Sequence, residues 1–444
     1  METFLHNLER ALEQMPLPER LPRISVAFSG GLDSTVLLTA LSRLSLAVPV
    51  RALHIDHGLH EESGEWSRHC REIAAALNVE FDCRVVTVPK LRGKSLEATA
   101  RELRYAELCK MMETGELLLT AHHSDDQLET VLLRLMRGSG AKGLRCISSF
   151  GALGKGYLGR PLLSESHDEI LRIGKCWKLS WLNDPSNPDQ SFDRNYLRYA
   201  VIPLLKDRWP GASVTAGRTA VQMRDVQEIL ETVAVKDAER VSVEGGISQA
   251  SLLELSRARL SNVLRHLTLE AGLTVPTSVQ LRELLSAVEI TRPDARTHVQ
   301  WPGGEARLYA GKLHLSKPIG AASGPSYEGH IDRRDGWSGP EGRLSLMPTD
   351  GIGLPDRWVQ DGLTVRFQSG GERFRPCHDA RTRKLKKWFR DAGVFPWMRS
   401  RVPLIYRDST LVAVGDLWLS DALSEIPASA TVWKVIWSDH PPIT

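Results

Sequence analysis

The sequence predicts an α/β protein: a doubly wound parallel sheet in its first half, then a smaller helical domain and a small α+β module at the C-terminal end. Three observations support this reading. Over the first 140 residues short apolar runs alternate with helix-period stretches, the pattern of parallel strands joined by helical crossovers. Beyond Trp209-Pro210-Gly211 the strand signal gives way to long helical stretches. From Leu363 onward strand-like runs return around a strongly basic helical segment.

The first strand is read at 24–28, and Ser29-Gly30-Gly31-Leu32-Asp33-Ser34-Thr35 turns it into a helix near 34–45. Strands at 50–55, 84–88 and 116–120 then alternate with helices near 62–77, 95–113 and 125–137. In such sheets ligands lie beyond the carboxyl ends of the strands. Those ends carry Ser29-Gly30-Gly31, His54-Ile55-Asp56-His57-Gly58 and Ala121-His122-His123-Ser124-Asp125-Asp126, so three polar clusters converge on one edge. Further on, 214–238 and 248–269 read as helices, and Pro and Gly accumulate over 318–355 as in a linker or irregular region. Strands are read again at 363–367, 403–406 and 410–414. The expected domains are 1–212, 213–340 and 341–444, with no internal repeat.

Composition narrows the class. A chain of 444 residues with 42% hydrophobic content has room for two or three domains with real cores. A net charge of +3 neither demands nor excludes nucleic acid, so the distribution of charge decides. Six cysteines without a C-x-x-C pair argue against a zinc site or a redox pair and for a reducing compartment. There is no secretory start and no run of about 18 apolar residues, so a cytoplasmic protein is expected.

The glycine pair is the sharpest feature. Adjacent glycines let the backbone bend its N–H groups toward an anion, and the helix that follows aims its positive end at the same place. Ser29, Ser34 and Thr35 add hydroxyls. Asp33 would repel phosphate unless a divalent cation lay between them, which points to magnesium-ATP. The plainer reading is a tight strand-to-helix turn with Asp33 or Ser34 as N-cap. No Walker A loop is present: Gly138-Ser139-Gly140-Ala141-Lys142-Gly143 comes nearest and fails the spacing, which disfavours γ-phosphate transfer.

A second helix opens at Ser124-Asp125-Asp126-Gln127-Leu128-Glu129-Thr130, where Ser124 and Gln127 read as a capping box. Leu128, Val131, Leu132 and Leu135 share one face, and Asp126 and Glu129 lie on another. Two carboxylates one turn apart at the mouth of a site suit a magnesium ion or a cationic substrate; acids in a first turn also complement the helix dipole. His54-x-Asp56-His57 reads better as loop hydrogen bonding than as a metal pair. Glu97, Arg101 and Arg104 fit a site or a surface ion pair equally well.

Asp184-Pro185-Ser186-Asn187 leads to Arg194-Asn195-Tyr196-Leu197-Arg198, with arginines one turn apart that suit either phosphates or a solvated face. The densest charge comes later, at Arg373, Arg375, Arg381, Arg383, Lys384, Lys386, Lys387 and Arg390, interleaved with Phe374, Trp388, Phe389 and Trp397. Basic groups for phosphates and flat rings for stacking are what an RNA surface needs. A helix with Leu385, Trp388 and Phe389 inside and lysines outside has the same letters, but the local excess of positive charge favours nucleic acid.

The S-G-G-x-D-S at Ser29 to Ser34 resembles the signature of the N-type ATP pyrophosphatases, the PP-loop family, whose fold is Rossmann-like. The resemblance extends through 121–130, 137–140, 184–187, Arg194-Asn195 and Phe374-Arg375-Pro376 with the basic helix, and is closest to the lysidine-forming branch. It covers most of the chain, the middle region matching only in helical character. It implies a carbon–nitrogen ligase that adenylates cytidine 34 in the CAU anticodon of an isoleucine tRNA. Free L-lysine then attacks C2 to give lysidine, AMP and pyrophosphate, which changes the codon read from AUG to AUA.

The resemblance assigns ATP to Ser29, Gly30, Gly31, Leu32, Asp33 and Ser34, with Asp33 catalytic and facing Mg2+. It makes Asp126 and Glu129 catalytic and lysine-binding, and gives tRNA to Arg194, Arg198, Arg375, Arg383, Lys384, Lys386 and Lys387. No membrane and no stable protein partner are expected. The nearest alternative is another tRNA-modifying member such as a cytidine thiolase, whose paired cysteines this chain lacks.

Overall fold

The computed structural model describes residues 1–58, 63–87, 89, 96–182 (backbone alone at 96–98), 190–290, 297–324, 326–377, 379–424 and 431–444. They form two compact units, Met1–Thr232 and Val233–Thr444.

The first unit runs α1 (Glu2–Glu13), β1 (Ile24–Ala27), α2 (Leu32–Arg43), β2 (Val50–Asp56), α3 (Ser63–Ala76), β3 (Glu80–Val85), α4 (Leu96–Met111) and β4 (Leu117–Leu119). It continues with α5 (Ser124–Met136), α6 (Ala141–Leu144), β5 (Phe150–Leu153), β6 (Gly156–Gly159), α7 (His167–Cys176) and α8 (Asp193–Tyr196). A π-helical turn (Leu197–Val201) joins α8 to α9 (Ile202–Arg208), and α10 (Ala212–Val241) follows.

The strand order is β3-β2-β1-β4-β6-β5, parallel throughout except for the antiparallel β5–β6 hairpin at one edge. This is the doubly wound sheet that the alternating pattern predicts. The central strands are apolar on both faces because helices cover both; Leu117, Leu118 and Leu119 are fully buried. At the amino ends of the strands the buried Arg51–Glu116 ion pair (2.9 Å), joined by the Ser25 hydroxyl, ties β1, β2 and the entry to β4 together. The opposite, carboxyl ends are left to the site. Helix α2 is held from both sides, with Val36, Leu37, Leu38 and Leu41 in one core with Phe4 and Leu8 of α1 and Ile170 and Ile173 of α7.

The third strand lies at 80–85 and not at 84–88. As an edge strand it pairs only with β2, so polar residues suffice, while the apolar Val85 is largely exposed.

In the second unit the helices α11 (Gln249–Leu253), α12 (Arg257–Glu270) and α13 (Ser278–Ile290) do not stand alone. An antiparallel sheet of β7 (Ser242–Val243), β8 (Gly246–Ser248), β9 (Thr297–Trp301), β10 (Gly304–Tyr309) and β11 (Lys312–Ser316) shares their core, in the order β7-β8-β11-β10-β9. Val263, Leu264, Leu284, Val299, Trp301 and Leu308 meet there. Its strands are short and alternate between exposed and buried residues, a weak signal beside the helices.

The stretch 318–355, read as a linker, supplies β12 (Glu328–Ile331), β13 (Trp337–Gly339), β14 (Gly342–Thr349) and β15 (Leu354–Pro355). After these come α14 (Asp356–Asp361), β16 (Leu363–Arg366), β17 (Arg373–Phe374), β18 (Arg383–Lys384), α15 (Leu385–Asp391), β19 (Leu404–Arg407), β20 (Thr410–Val414), β21 (Trp418–Leu419) and β22 (Val432–Ser438). Two antiparallel sheets, β12-β16-β19-β20-β21 and β13-β14-β22-β15, enclose one core. β14 pairs with β22 over the whole length of β22, Arg343 opposite Ser438 to Thr349 opposite Val432. Glycines and prolines in this stretch mark turns and strand ends rather than a gap between domains. Among the described residues no helix is long and apolar enough to cross a membrane.

Candidate functional site

The chain leaves β1 at Ala27 and bends at Gly30, whose φ is +79°. A Cβ there would also lie 2.7 Å from Cys70 Sγ and 2.8 Å from Leu182 Cδ1, so backbone angle and packing both require glycine. The Leu182 N–H donates to the Gly30 carbonyl (2.9 Å) and pins the turn. Gly31 is the N-cap of α2, and no side chain caps the helix, which leaves its leading N–H groups for an anion. Neither Asp33 nor Ser34 takes the capping role that the plainer sequence reading gave them. The Ser29 and Ser34 hydroxyls stand 3.1 Å apart, and the latter donates to the Gly31 carbonyl (3.1 Å), so the turn is braced by its own side chains.

Asp33 projects from the first turn of α2. Its Oδ1 is buried without a partner, and its Oδ2 lies 3.8 Å from His123 Nε2. Burial pushes its carboxyl up, against the pull of His123 and His167. Among the described residues no group of three His, Cys, Asp or Glu side chains could hold a metal ion.

Helix α5 begins differently from the expected Ser124–Gln127 box. His123 is its N-cap: Nδ1 accepts from the Asp126 N–H (3.4 Å) and Asp126 Oδ2 accepts from the His123 N–H (3.0 Å). Gln127 instead bridges to the backbone of Ile147 through both ends of its amide. With Nδ1 accepting, the hydrogen-bond pattern assigns the neutral ring's proton to Nε2, 3.5 Å from Asp126 Oδ2. Histidine in this role carries no standard sequence signal.

Asp126 and Glu129 do sit together, one turn apart, and they meet the two arginines at 194 and 198. Arg194 Nε donates to Glu129 Oε2 (2.7 Å) and its Nη2 to Asp126 Oδ1 (3.0 Å). Arg198 Nε donates to Glu129 Oε1 (2.5 Å), and its Nη2 reaches both Glu129 Oε2 and Asp126 Oδ1 at 3.0 Å. The Glu129 side chain is 1% exposed and that of Arg198 36%. Burial alone would raise the Asp126 carboxyl, but His123, His122 and Arg194 bring it down to about 2. Beside it, His122 shares a hydrogen bond with the Thr120 hydroxyl through Nδ1 (2.8 Å), and burial pushes its imidazole down to about 3. His122 is therefore neutral at ordinary pH.

All three strand-end clusters open into one cavity of about 1330 Å3, lined by Ser29, Asp33, His54, His122, Asp126 and Arg198 among others. That exceeds the ~300–1,000 Å3 of a pocket for one small ligand. Gly31, Leu32, Ser34, Glu129 and Arg194 also line it. His54 hydrogen-bonds the Phe28 carbonyl through Nδ1 (2.8 Å), the backbone role expected of it. Arg101 and Arg104 face the cavity as well. Asp184–Asn187 and the Glu97 side chain lie outside the described residues.

Sequence reasoning did not single out Lys206 or Ser213, which hold Asp125 beside Asp126; Lys206 Nζ is 2.8 Å from Asp125 Oδ2, and Lys206 and Asp125 both line the same cavity. Their elements carry no motif, and only the doubled acid at 125–126 hints at such partners.

The basic C-terminal segment forms the β17–β18 hairpin and α15. Lys384, Lys386 and Lys387 are exposed, while Phe374, Leu385 and Phe389 are buried. Trp388 donates its indole N–H to the Phe374 carbonyl (3.0 Å), and the Arg383 guanidinium lies 4.6 Å over its ring. Arg375 pairs with Asp421. Trp397 packs with Tyr309 and Phe395. The aromatics expected to offer a stacking surface thus serve the core, because the helical period carries Leu385, Trp388 and Phe389 to the inner face.

A PP-loop domain model matches residues 4–205, a TilS substrate binding domain residues 248–314, and a TilS substrate C-terminal domain residues 363–437. The chain is 39% identical over 422 residues to a tRNA(Ile)-lysidine synthase of Alkalilimnicola ehrlichii, covering 94% of each protein. It is 36% identical to that of Coxiella burnetii, over 88% of this chain and 87% of the relative. With that of Nitrosomonas europaea it shares 33% over 99% and 95%. Among solved structures, a U34-tRNA thiolase from Methanococcus maripaludis aligns with a TM-score of 0.44 at 15% identity, over 50% of this chain and 78% of its own, too loosely to bear on function.

Proposed function

The chain belongs to the tRNA(Ile)-lysidine synthase family, and on that premise we propose how its residues divide the reaction. The protein is an ATP-using ligase that forms lysidine on tRNA(Ile). One observation carries the assignment of residues: the glycine cradle and the Asp126–Glu129 pair line the same cavity.

The 2-oxo group of cytosine is a poor leaving group, and adenylation converts it into a good one, AMP. The lysine ε-amine then attacks C2. Ser29, Gly30, Gly31, Leu32 and Ser34 hold the polyphosphate of ATP at the start of α2. Asp33, with its unpartnered buried oxygen, is the residue that would hold Mg2+, which supplies neutralisation of the charge on departing pyrophosphate.

Asp126 and Glu129 receive the lysine ammonium. With a pKa of about 10.4 in water that group must lose a proton before it attacks, and a carboxylate of this pair takes it. Asp126, held at about 2, stays ionised at any working pH and so can pair with the cation. Holding base, nucleotide and amine together supplies the remaining acceleration.

We assign tRNA to 213–340 and 341–444, with Arg375, Arg383, Lys384, Lys386 and Lys387 on its phosphates, and to Arg194 and Arg198 at the cavity. The reaction belongs in the cytoplasm, where cysteines stay reduced.

The purified protein given ATP, magnesium and labelled L-lysine is expected to release pyrophosphate only when CAU-anticodon tRNA is present, and to transfer the label to that tRNA. Sulfur incorporation, or pyrophosphate release without lysine transfer, would overturn the proposal.

A further inference from the structure

The sequence gives Asp126 and Glu129 one task and Arg194 and Arg198 another, yet the four side chains form a single closed cluster. Each of the four carboxylate oxygens already accepts at least one N–H. Glu129 Oε1 takes Arg198 Nε, and Oε2 takes Arg194 Nε and Arg198 Nη2. Asp126 Oδ1 takes Nη2 of both arginines, and Oδ2 takes the His123 N–H. Two carboxylates face two guanidiniums, so the cluster carries no net charge. An ammonium arriving here meets neither an unbonded carboxylate oxygen nor a net negative charge on the cluster.

The arginines are the movable half. Glu129 is 1% exposed and fixed on the long helix α5, whereas Arg194 and Arg198 are 25% and 36% exposed at the cavity. They stand on the four-residue α8 and on a π-helical turn, an irregular piece of backbone of the kind found at functional sites. A guanidinium fork fits a phosphate as well as a carboxylate. The cradle for phosphate opens into the same cavity.

We propose that Arg194 and Arg198 gate the lysine site: they neutralise Asp126 and Glu129 until a phosphate of a co-substrate draws off at least one guanidinium, and only then is a carboxylate open to lysine. This rests on the reading of Asp126 and Glu129 as the lysine site. The phosphate comes from ATP or from the tRNA backbone. By linkage, lysine then tightens the binding of that same co-substrate by the same factor.

Equilibrium dialysis of labelled L-lysine against the full chain tests this in four arms: protein alone, with a non-hydrolysable ATP analogue and magnesium, with unmodified CAU-anticodon tRNA, and with both. Lysine affinity is expected to rise about tenfold or more in at least one phosphate arm, and the arm that responds identifies the source. Arg198→Gln is expected to bind lysine alone about as tightly as the wild type does with its co-substrate. Arg198→Lys, which keeps the charge and loses the fork, is expected to fall between them.

Equal lysine affinity in all four wild-type arms overturns the gate without recourse to any variant, as does weaker binding by Arg198→Gln in every arm. The site itself is tested apart: if Asp126→Asn and Glu129→Gln leave lysine affinity unchanged in the fully loaded arm, the lysine assignment fails. If they abolish binding while the phosphate dependence is missing, only the gate fails.

Discussion

The cavity of the first unit and the basic face of the C-terminal module are both rich in charge and use it in opposite ways. In the cavity charges are matched and the acids withdrawn from water: Asp126 and Glu129 against Arg194 and Arg198, and Asp125 against Lys206. On α15 and the strand before it, Lys384, Lys386 and Lys387 point to solvent and make no ion pair among the described residues. Burying matched charge is costly and fixes geometry, which suits a site where bonds are made. Leaving like charge exposed costs little and attracts a polyanion over distances set by salt.

The largest effect is expected where a buried match is broken. Glu129→Gln removes the charge and turns one of the two acceptor oxygens facing the guanidiniums into a donor, and is expected to abolish lysine transfer and to destabilise the first unit by about 2–4 kcal/mol. A thermal shift together with the transfer assay checks both. A fully active, stable variant would put the cavity in the same class as the exposed face.

Gly30→Ala comes next, since it forces a Cβ onto Cys70 and Leu182 at a positive φ. It is expected to cost about 1–3 kcal/mol and to raise the KM for ATP. The basic face should respond more gently. Lys386→Gln with Lys387→Gln is expected to weaken tRNA binding by about tenfold and to reduce the slope of log affinity against log salt by between one and two.

The effect that is smallest near neutral pH, and grows only on acidification, comes from His122. His122 binds its proton at about 3 in the folded protein and at about 6.5 when unfolded, so the unfolded state holds more protons between those values. Stability therefore falls as pH drops from about 6.5 toward 3, by at most about 1.4 kcal/mol per pH unit from this residue. His122→Asn is expected to flatten that slope in acid unfolding.

The cavity was far more legible in the sequence than the rest. Gly30, Asp33, Asp126 and Glu129 lie in short segments at strand ends, where the alternation of strand and helix alone places them on one edge. That the arginines at 194 and 198 would turn onto those acids was not legible, because some 65 residues separate Glu129 from Arg194 and no periodicity spans them. The capping box was misplaced by one residue because His123 does what serine usually does. In the second unit β16, β19 and β20 were legible as strands, whereas those from β7 to β15 escaped notice: β7, β8, β13 and β15 are two or three residues long, and the glycines and prolines of 318–355 read as breaks. The basic segment was legible as charge but not in its aromatics, since a ring between lysines looks the same whether it stacks on a base or fills a core.

The central claim is that the chemistry and the main grip on tRNA lie in separate regions, and Asp33→Ala against the Lys386→Gln, Lys387→Gln pair tests it most directly. Single-turnover pyrophosphate release should be measured alongside tRNA affinity. Asp33→Ala is expected to bind tRNA within about twofold of wild type and to lose pyrophosphate release by about 10²–10³-fold or more at any tRNA concentration. The lysine pair is expected to bind tRNA weakly and to recover release once tRNA is saturating. Equal loss of release in both variants at saturating tRNA would contradict the division.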